Sequence, residues 1–148
     1  MYSDAITLFN RVRLTTGDVW YPTILRGVDL NIDKAAIIAK YGAESADNAR
    51  LHIKYRHEAG AVVVGGKKYL PPKEWHRQER DEMAQSLTFT DGVDFDFFIV
   101  GEWSEDEIND NEFIEGFYSY MNSRFDYVFS ITSVAKYSVI PHFEIMAK

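Results

Sequence analysis

Residues 49–56, "ARLHIKYR", alternate without a break: Leu51, Ile53 and Tyr55 fall on one side of an extended chain, and His52, Lys54 and Arg56 on the other. A segment of this kind is a half-buried strand with one wet face. Apolar runs separated by Gly, Asp and Pro recur along the chain, so the fold must be built mainly from strands joined by turns. The 148 residues suit one domain spanning 1–148, and 46% hydrophobic with 15% aromatic residues supply a core that needs no covalent staple.

"AITLFNRV" at 5–12, the turn composition "TTGD" at 15–18 and "VWYPTILRGV" at 19–28 predict an opening hairpin. Pro22 has no N–H for a ladder, which places it at an edge, a bulge or a split in the second strand. "DKAAIIAKYG" at 33–42 fits a short helix capped by Asp33 and closed by Gly42, and equally a buried strand. The stretch "GAVVVGGKKYLPPKEW" at 60–75 reads as strand, glycine turn, short strand and a stiff Pro-Pro bend. A helix starting at Pro72 and running through "KEWHRQERDEMAQ" would be mostly solvated, its apolar members being Trp75, Met83 and Ala84. "SLTFTDGVDFDFFIVGEW" at 86–103 gives two strands around Asp91 and Gly92, the second, Phe95 to Val100, apolar enough to be central.

Ser104 and Glu107 have capping-box spacing, and Phe113, Phe117, Tyr120 and Met121 follow at helical intervals. Gly116 and the pair Asn109 and Asn111 weaken that helix and can divide it. The expected class is therefore α+β and β-dominated: a small antiparallel β-barrel or sandwich-like sheet, with one acidic helix over 104–123 before a C-terminal β-hairpin. Two polar, weakly patterned segments, 41–48 and 73–85, are candidates for loops that order on binding.

The chemistry legible in these residues is sparse. The chain has no cysteine, which removes disulfides, thiolate nucleophiles and cysteine-bound zinc. Its four histidines, His52, His57, His76 and His142, form no metal-binding pair of recognised spacing, so no metal and no cofactor is expected. In "VIPHFEIM", Ile140, His142, Glu144 and Met146 share one strand face, opposite Val139, Phe143 and Ile145. His142 and Glu144 are a conceivable acid–base pair, yet Ser130 and Thr132 on the partner strand lack the glycine frame of a nucleophile elbow. Asp91, Asp94 and Asp96 beside Gly92 miss calcium-loop spacing. "VVVGGKK" misses the phosphate-loop pattern. The net charge of -7 argues against gripping nucleic acid through phosphates. The start "MYSDAITLFNR" does not resemble a signal peptide, and no run approaches a membrane span. Glu102, Glu105, Asp106, Glu107, Asp110, Glu112 and Glu115 form either a solvated helix face or a docking face for a basic partner.

The order "ITLFNR…DVWYPTILRGV", "SADNARLHIKY", "KKYLPPKEW", "LTFTDGVDFDFFIVGEW" and "YVFSITSVAKYSVIPHFEI" resembles a family of small prophage and tailed-bacteriophage proteins, over nearly the whole chain. Ile6, Phe9, Tyr21, Pro22, Gly27, Tyr69, Val100, Gly101, Val128, Val134, Pro141, His142 and Phe143 stand at its motif positions. "VDFDFFIVG" replaces the tighter Gly-Asp turn of that pattern, and the acidic segment is longer. Members resemble minor-capsid and head-closure proteins of the neck between capsid and tail. The resemblance implies a β-barrel-like ring subunit without enzymatic activity, made in the host cytoplasm, located in the virion, and touching DNA only as passing cargo. Its expected neighbours are its own copies and portal, adaptor or tail proteins, with no membrane. A tail-terminator or tail-completion subunit is the alternative within virions, and a small hydrolase or ligand-binding barrel using His142 and Glu144 is the alternative outside them. Glu105, Asp106, Glu107, Asp110, Trp75 and Tyr69 are the candidate partner-binding residues.

Overall fold

A computed structural model describes residues 2–33 and 48–148. The segment 34–47, which holds most of the ambiguous 33–42 stretch and of the 41–48 loop, lies outside the described residues. Eleven strands are described. Six of them close an antiparallel barrel: β1 (Asp4–Val12), β8 (Phe97–Val100), β10 (Val128–Tyr137), β11 (His142–Ala147), β3 (Ala49–Lys54) and β2 (Val19–Ile32), with β2 pairing back onto β1. The expected barrel is therefore present. A two-residue strand, β9 (Ile108–Asn109), adds to the start of β2.

Closure depends on two long strands that change partner. β2 pairs with β1 from Val19 to Val28 and with β3 from Asp29 to Ile32. The register slips where Asp4 faces Val28 and Ala5 faces Arg26, leaving Gly27 as the extra residue at φ +67°. A bulge bends and twists a strand, and glycine takes a left-handed backbone without steric penalty. β10 does the same. Val128 to Ser130 pair with β8, Ile131 to Tyr137 pair with β11, and the ladder slips between Ile131 and Ser133.

Pro22 sits in register opposite Phe9 in an unbroken strand. Its carbonyl faces the Lys67 ammonium at 3.5 Å, on the side of β2 away from β1. β9 pairs only at Val19 and Trp20 and β3 only from Asp29, so the absent N–H falls on a locally free edge.

Alternation sorts the side chains into two layers. Ile6, Leu8, Leu25, Leu51, Ile53, Phe98, Phe129, Ile131, Phe143 and Ile145 fill the barrel. Phe97 and Ile99, the other face of β8, pack outside it with Phe9, Trp20, Phe117, Met121 and Val128. The continuous apolar run is thus a strand buried on both faces, paired to β1 on one side and β10 on the other. A small second sheet, β4 (Arg56–Glu58), β5 (Ala61–Val64), β6 (Lys67–Tyr69) and β7 (Ser86–Leu87), adds Val64 and Leu87 to the barrel core. β7 pairs in parallel with β6 and not with β8, so the two strands expected over 86–103 belong to different sheets.

The helices are shorter than the periodicity suggests. Over 72–85 there are two separate turns, α1 (Pro72–Trp75) and α2 (Arg80–Ala84). Trp75 and Met83 reach into a third cluster with Val12, Val19 and Tyr21, so this segment is packed against the barrel. The helix before the terminal hairpin is α3 (Phe117–Arg124), and the acidic residues precede it in loops and one 3-10 turn, Asp110–Glu112. Ser104 makes a turn instead of a capping box, its Oγ accepting from Asp106 N at 3.1 Å. Gly116 at φ +90° stops any helix from extending upstream, and Asp110 Oδ1 accepts from Phe117 N at 2.8 Å, doing the work of a cap. The terminal hairpin turns at 138–141, so Val139 projects into solvent instead of sharing the inner face of Phe143 and Ile145.

Asp96 is fully buried. Its carboxylate accepts from Arg11 N, Asn10 Nδ2 and Thr90 N, each at 2.9 Å, tying the entry to β8 onto β1. Burial outweighs these donors and pushes its pKa up from 3.8 to about 6. A carboxyl group whose folded pKa lies above its unfolded value stabilises the fold more in its protonated form. Stability should therefore fall as pH rises from about 4 to about 6, by on the order of 3 kcal/mol if the group acts alone. Asp96→Asn should flatten that slope in urea titrations across this window, and should be less stable at pH 4 because an amide offers one acceptor oxygen where three N–H groups converge. Gly27→Val, at a bulge where no atom lies within 4 Å of an added Cβ, should cost about 2 kcal/mol from backbone strain alone, measured as a lower urea midpoint with unchanged slope.

Candidate functional site

Where β8 ends and α3 returns toward β10, a groove of about 340 Å³ opens between residues 99–103 and 121–127. Its walls carry apolar groups that remain in water: Val100, Trp103, Phe125 and Tyr127 are each between 41% and 45% exposed. Trp103 meets Phe125 edge to face at 6.0 Å between ring centroids. Glu102 and Asp126 add carboxylates, and Arg124, whose guanidinium lies 4.7 Å over the Tyr120 ring, adds one cation.

Buried groups hold this rim in place. The Thr7 hydroxyl, fully buried on β1, donates to Gly101 O at 2.8 Å and accepts from Trp103 N at 2.9 Å. Gly101 N donates to Ala5 O at 2.9 Å and Val100 N to Tyr127 O at 3.2 Å, so both walls hang from the barrel. Arg26 clamps Glu102 with two bonds of 3.0 and 2.7 Å, and that contact holds the Glu102 carboxyl below the usual carboxylate range. A pre-ordered apolar groove with a charged rim suits the docking of another protein surface, since aromatic groups bury area with little loss of rotamer freedom.

The residues expected from sequence are scattered. Glu105 and Asp106 are exposed in the chain leading away from the groove. Glu107 pairs with Arg80 at 3.0 Å, and Arg80 also donates to the Tyr21 hydroxyl at 2.8 Å. Asp110 is half-buried, and its Oδ1 accepts from Trp20 Nε1 and from Phe117 N, both at 2.8 Å. Trp75 is 0% exposed, and Tyr69 stacks on Phe89 and Phe143 at 5.7 and 4.7 Å where the second sheet meets the barrel. Trp75 is therefore enclosed by the fold, whereas Tyr69 and Asp110 are half-buried and engaged in internal contacts. Trp103, Phe125 and Tyr127 were missed. The available signal was their position just outside strands, beside Gly101 and Asp126, where no periodicity assigns them a buried face.

His142 and Glu144 share the outer face of β11, as parity requires, but take different partners. The His142 ring lies between Tyr137 and His52, at 4.8 and 5.7 Å, with Nδ1 2.7 Å from Ile140 O. Glu144 pairs with Arg50 at 3.5 Å. A second cleft, about 420 Å³, is lined by Arg11, Arg13, Lys73 and His76. Arg13 is paired with Asp94 and Asp18, the Arg11 guanidinium stacks over Trp20 and Phe95 at 4.5 and 4.8 Å, and the His76 nitrogens lie 2.6 and 3.1 Å from Pro72 O and Arg11 O. Among the described residues no group of three or more His, Cys, Asp or Glu side chains is placed to hold a metal ion, and no helix is long and apolar enough to cross a membrane.

These features define a closed β-barrel with an ordered, aromatic-walled groove on its outer surface. The chain belongs to a family described as a family of unknown function (DUF6751), whose model matches residues 1–148. No curated protein and no solved structure matches it.

Thr7→Val keeps the shape of the side chain and removes both hydroxyl bonds. It should destabilise the fold by about 1–2 kcal/mol and speed hydrogen exchange at the Trp103 amide, with little change at amides of β3 and β11.

Proposed function

We propose that this protein is a non-enzymatic assembly subunit of a bacteriophage virion, working in the neck as a head-closure or connector component. The observation that carries this reading is the pre-ordered aromatic groove: Val100, Trp103, Phe125 and Tyr127 are held in water by buried hydrogen bonds on a rigid barrel. Large apolar groups kept exposed in this way mark a protein contact. The sequence resemblance to small tailed-phage proteins supplies the virion context, and a compact barrel of this size suits one position in a ring with copies of itself, bordered by portal, adaptor or tail proteins. The excess of acidic residues allows such a ring to pass DNA without retaining it.

A hydrolase built on His142 and Glu144 is disfavoured, because Glu144 is taken by Arg50 and the His142 ring is stacked between Tyr137 and His52. The decisive experiment is to purify virions from a host carrying the gene, quantify the chain by mass spectrometry and locate it by particle reconstruction. The expected result is a fixed copy number in a ring at the neck. A chain absent from particles overturns the proposal, and density at the tail end of the neck would reassign it as a tail-terminator subunit.

A further inference from the structure

The outer face of the barrel carries a side-chain cluster that assembly through the groove does not use. The register of β11 on β3 sets Glu144 directly opposite His52, and the register of β3 on β2 sets Asp29 opposite His52 on its other side. His142 lies two residues before Glu144, so it occupies the diagonal position to His52 on the same face. Barrel closure thus gathers two imidazoles and a carboxylate from residues that share no local motif.

The two imidazoles are close to the spacing a shared ion requires. Their ring centroids are 5.7 Å apart, with planes 25° from parallel. Imidazoles bound to one tetrahedral ion at about 2.0–2.1 Å place their centroids roughly 5 Å apart, so side-chain rotation alone brings both nitrogens to one ion. His142 Nδ1 lies 2.7 Å from Ile140 O. A carbonyl only accepts, so Nδ1 carries a proton and the neutral ring keeps its lone pair on Nε2. Histidines that ligate metals are commonly oriented by such a bond from the other ring nitrogen. His52 Nε2 is buried with no hydrogen-bond partner, a costly state for a polar atom that nothing meets. On the far side of His142 the Tyr137 ring stacks at 4.8 Å and holds the imidazole toward His52.

The third group is held nearby by a weak contact. Glu144 pairs with Arg50 at 3.5 Å, and the Arg50 side chain is 55% exposed, so little opposes its release. Rotation of Glu144 toward His52 completes a set of two nitrogens and one carboxylate oxygen. Before that rotation only the two imidazoles are in place, and no three-ligand group stands ready among the described residues.

We infer that His52, His142 and Glu144 bind a divalent transition-metal ion of the zinc class on the outer face of the barrel, pinning β11 to β3. Imidazole and carboxylate in this proportion suit Zn2+, and Ni2+ or Cu2+ through the same nitrogens, whereas Mg2+ and Ca2+ require more oxygen ligands. The site goes beyond the assembly reading and stands or falls apart from it.

Calorimetric titration of the untagged chain with Zn2+ should show one ion bound per chain, and Mg2+ should not compete. His52→Ala, His142→Ala and Glu144→Gln should each weaken binding about tenfold or more, while His57→Ala leaves it unchanged. Arg50→Ala frees Glu144 and should tighten binding about threefold, a gain that a purely structural role for these residues does not produce. The chain without substitutions provides a second measurement that no folding defect can spoil. Substoichiometric Cu2+ should broaden the imidazole resonances of His52 and His142 before those of His57 and His76. Zinc binding weaker than roughly 100 μM, equal weakening by His57→Ala, no tightening with Arg50→Ala, or broadening that begins at His57 or His76 overturns the site.

Discussion

The exchange of partners along β2 and β10 is the constraint on which the rest of this molecule depends. Each strand passes from one neighbour to the next beside a bulge, which lies at Gly27 in β2 and between Ile131 and Ser133 in β10. Without those bends the halves of the barrel would be two separate sheets with open edges, and every edge is a row of unpaired backbone groups. With them, the barrel closes and inward alternation gathers Phe98, Phe129 and Phe143 in one interior. Continuity through β10 also fixes the orientation of the groove relative to the hairpin tip, because both are anchored to its ends.

Around this frame the packing is layered. Inside lies the barrel core; outside, Phe9, Trp20, Phe97 and Phe117 make a second aromatic cluster with ring centroids 4.8 to 6.2 Å apart. Asp110 braces the outer cluster with polar bonds, since the same oxygen receives the Trp20 indole N–H and the first amide of α3. Near Phe143 a third group of rings, Tyr55, Tyr69 and Phe89, packs within 5.2 Å of it, which ties the second sheet to the last strand of the chain.

Strand identity was legible because alternation is a local signal: Leu51 and Ile53 face inward as their spacing requires, and the hairpin around Gly17 forms as its turn residues require. Closure was not legible, since the pairing of β1 with β8 joins residues 88 to 94 positions apart, and no local pattern encodes such a contact. The helix over 104–123 shrank to Phe117–Arg124 because Gly116 adopts a left-handed backbone and Asp110 caps from a distance. For the site, residue type alone does not report how deeply a group is held: Trp75 is buried, Tyr69 and Asp110 are half-buried with internal contacts, and Trp103, Phe125 and Tyr127 sit outside any periodic element that could have predicted their exposure.

The three tryptophans divide in the same way. Trp20 and Trp75 are 1% and 0% exposed, and Trp103 is 43% exposed. A dissolved quencher such as iodide or acrylamide therefore reaches one indole and is screened from two. The red edge of the intrinsic emission belongs to the groove alone, and occupation of the groove is visible as a blue shift and a loss of quenching without any label attached to the protein.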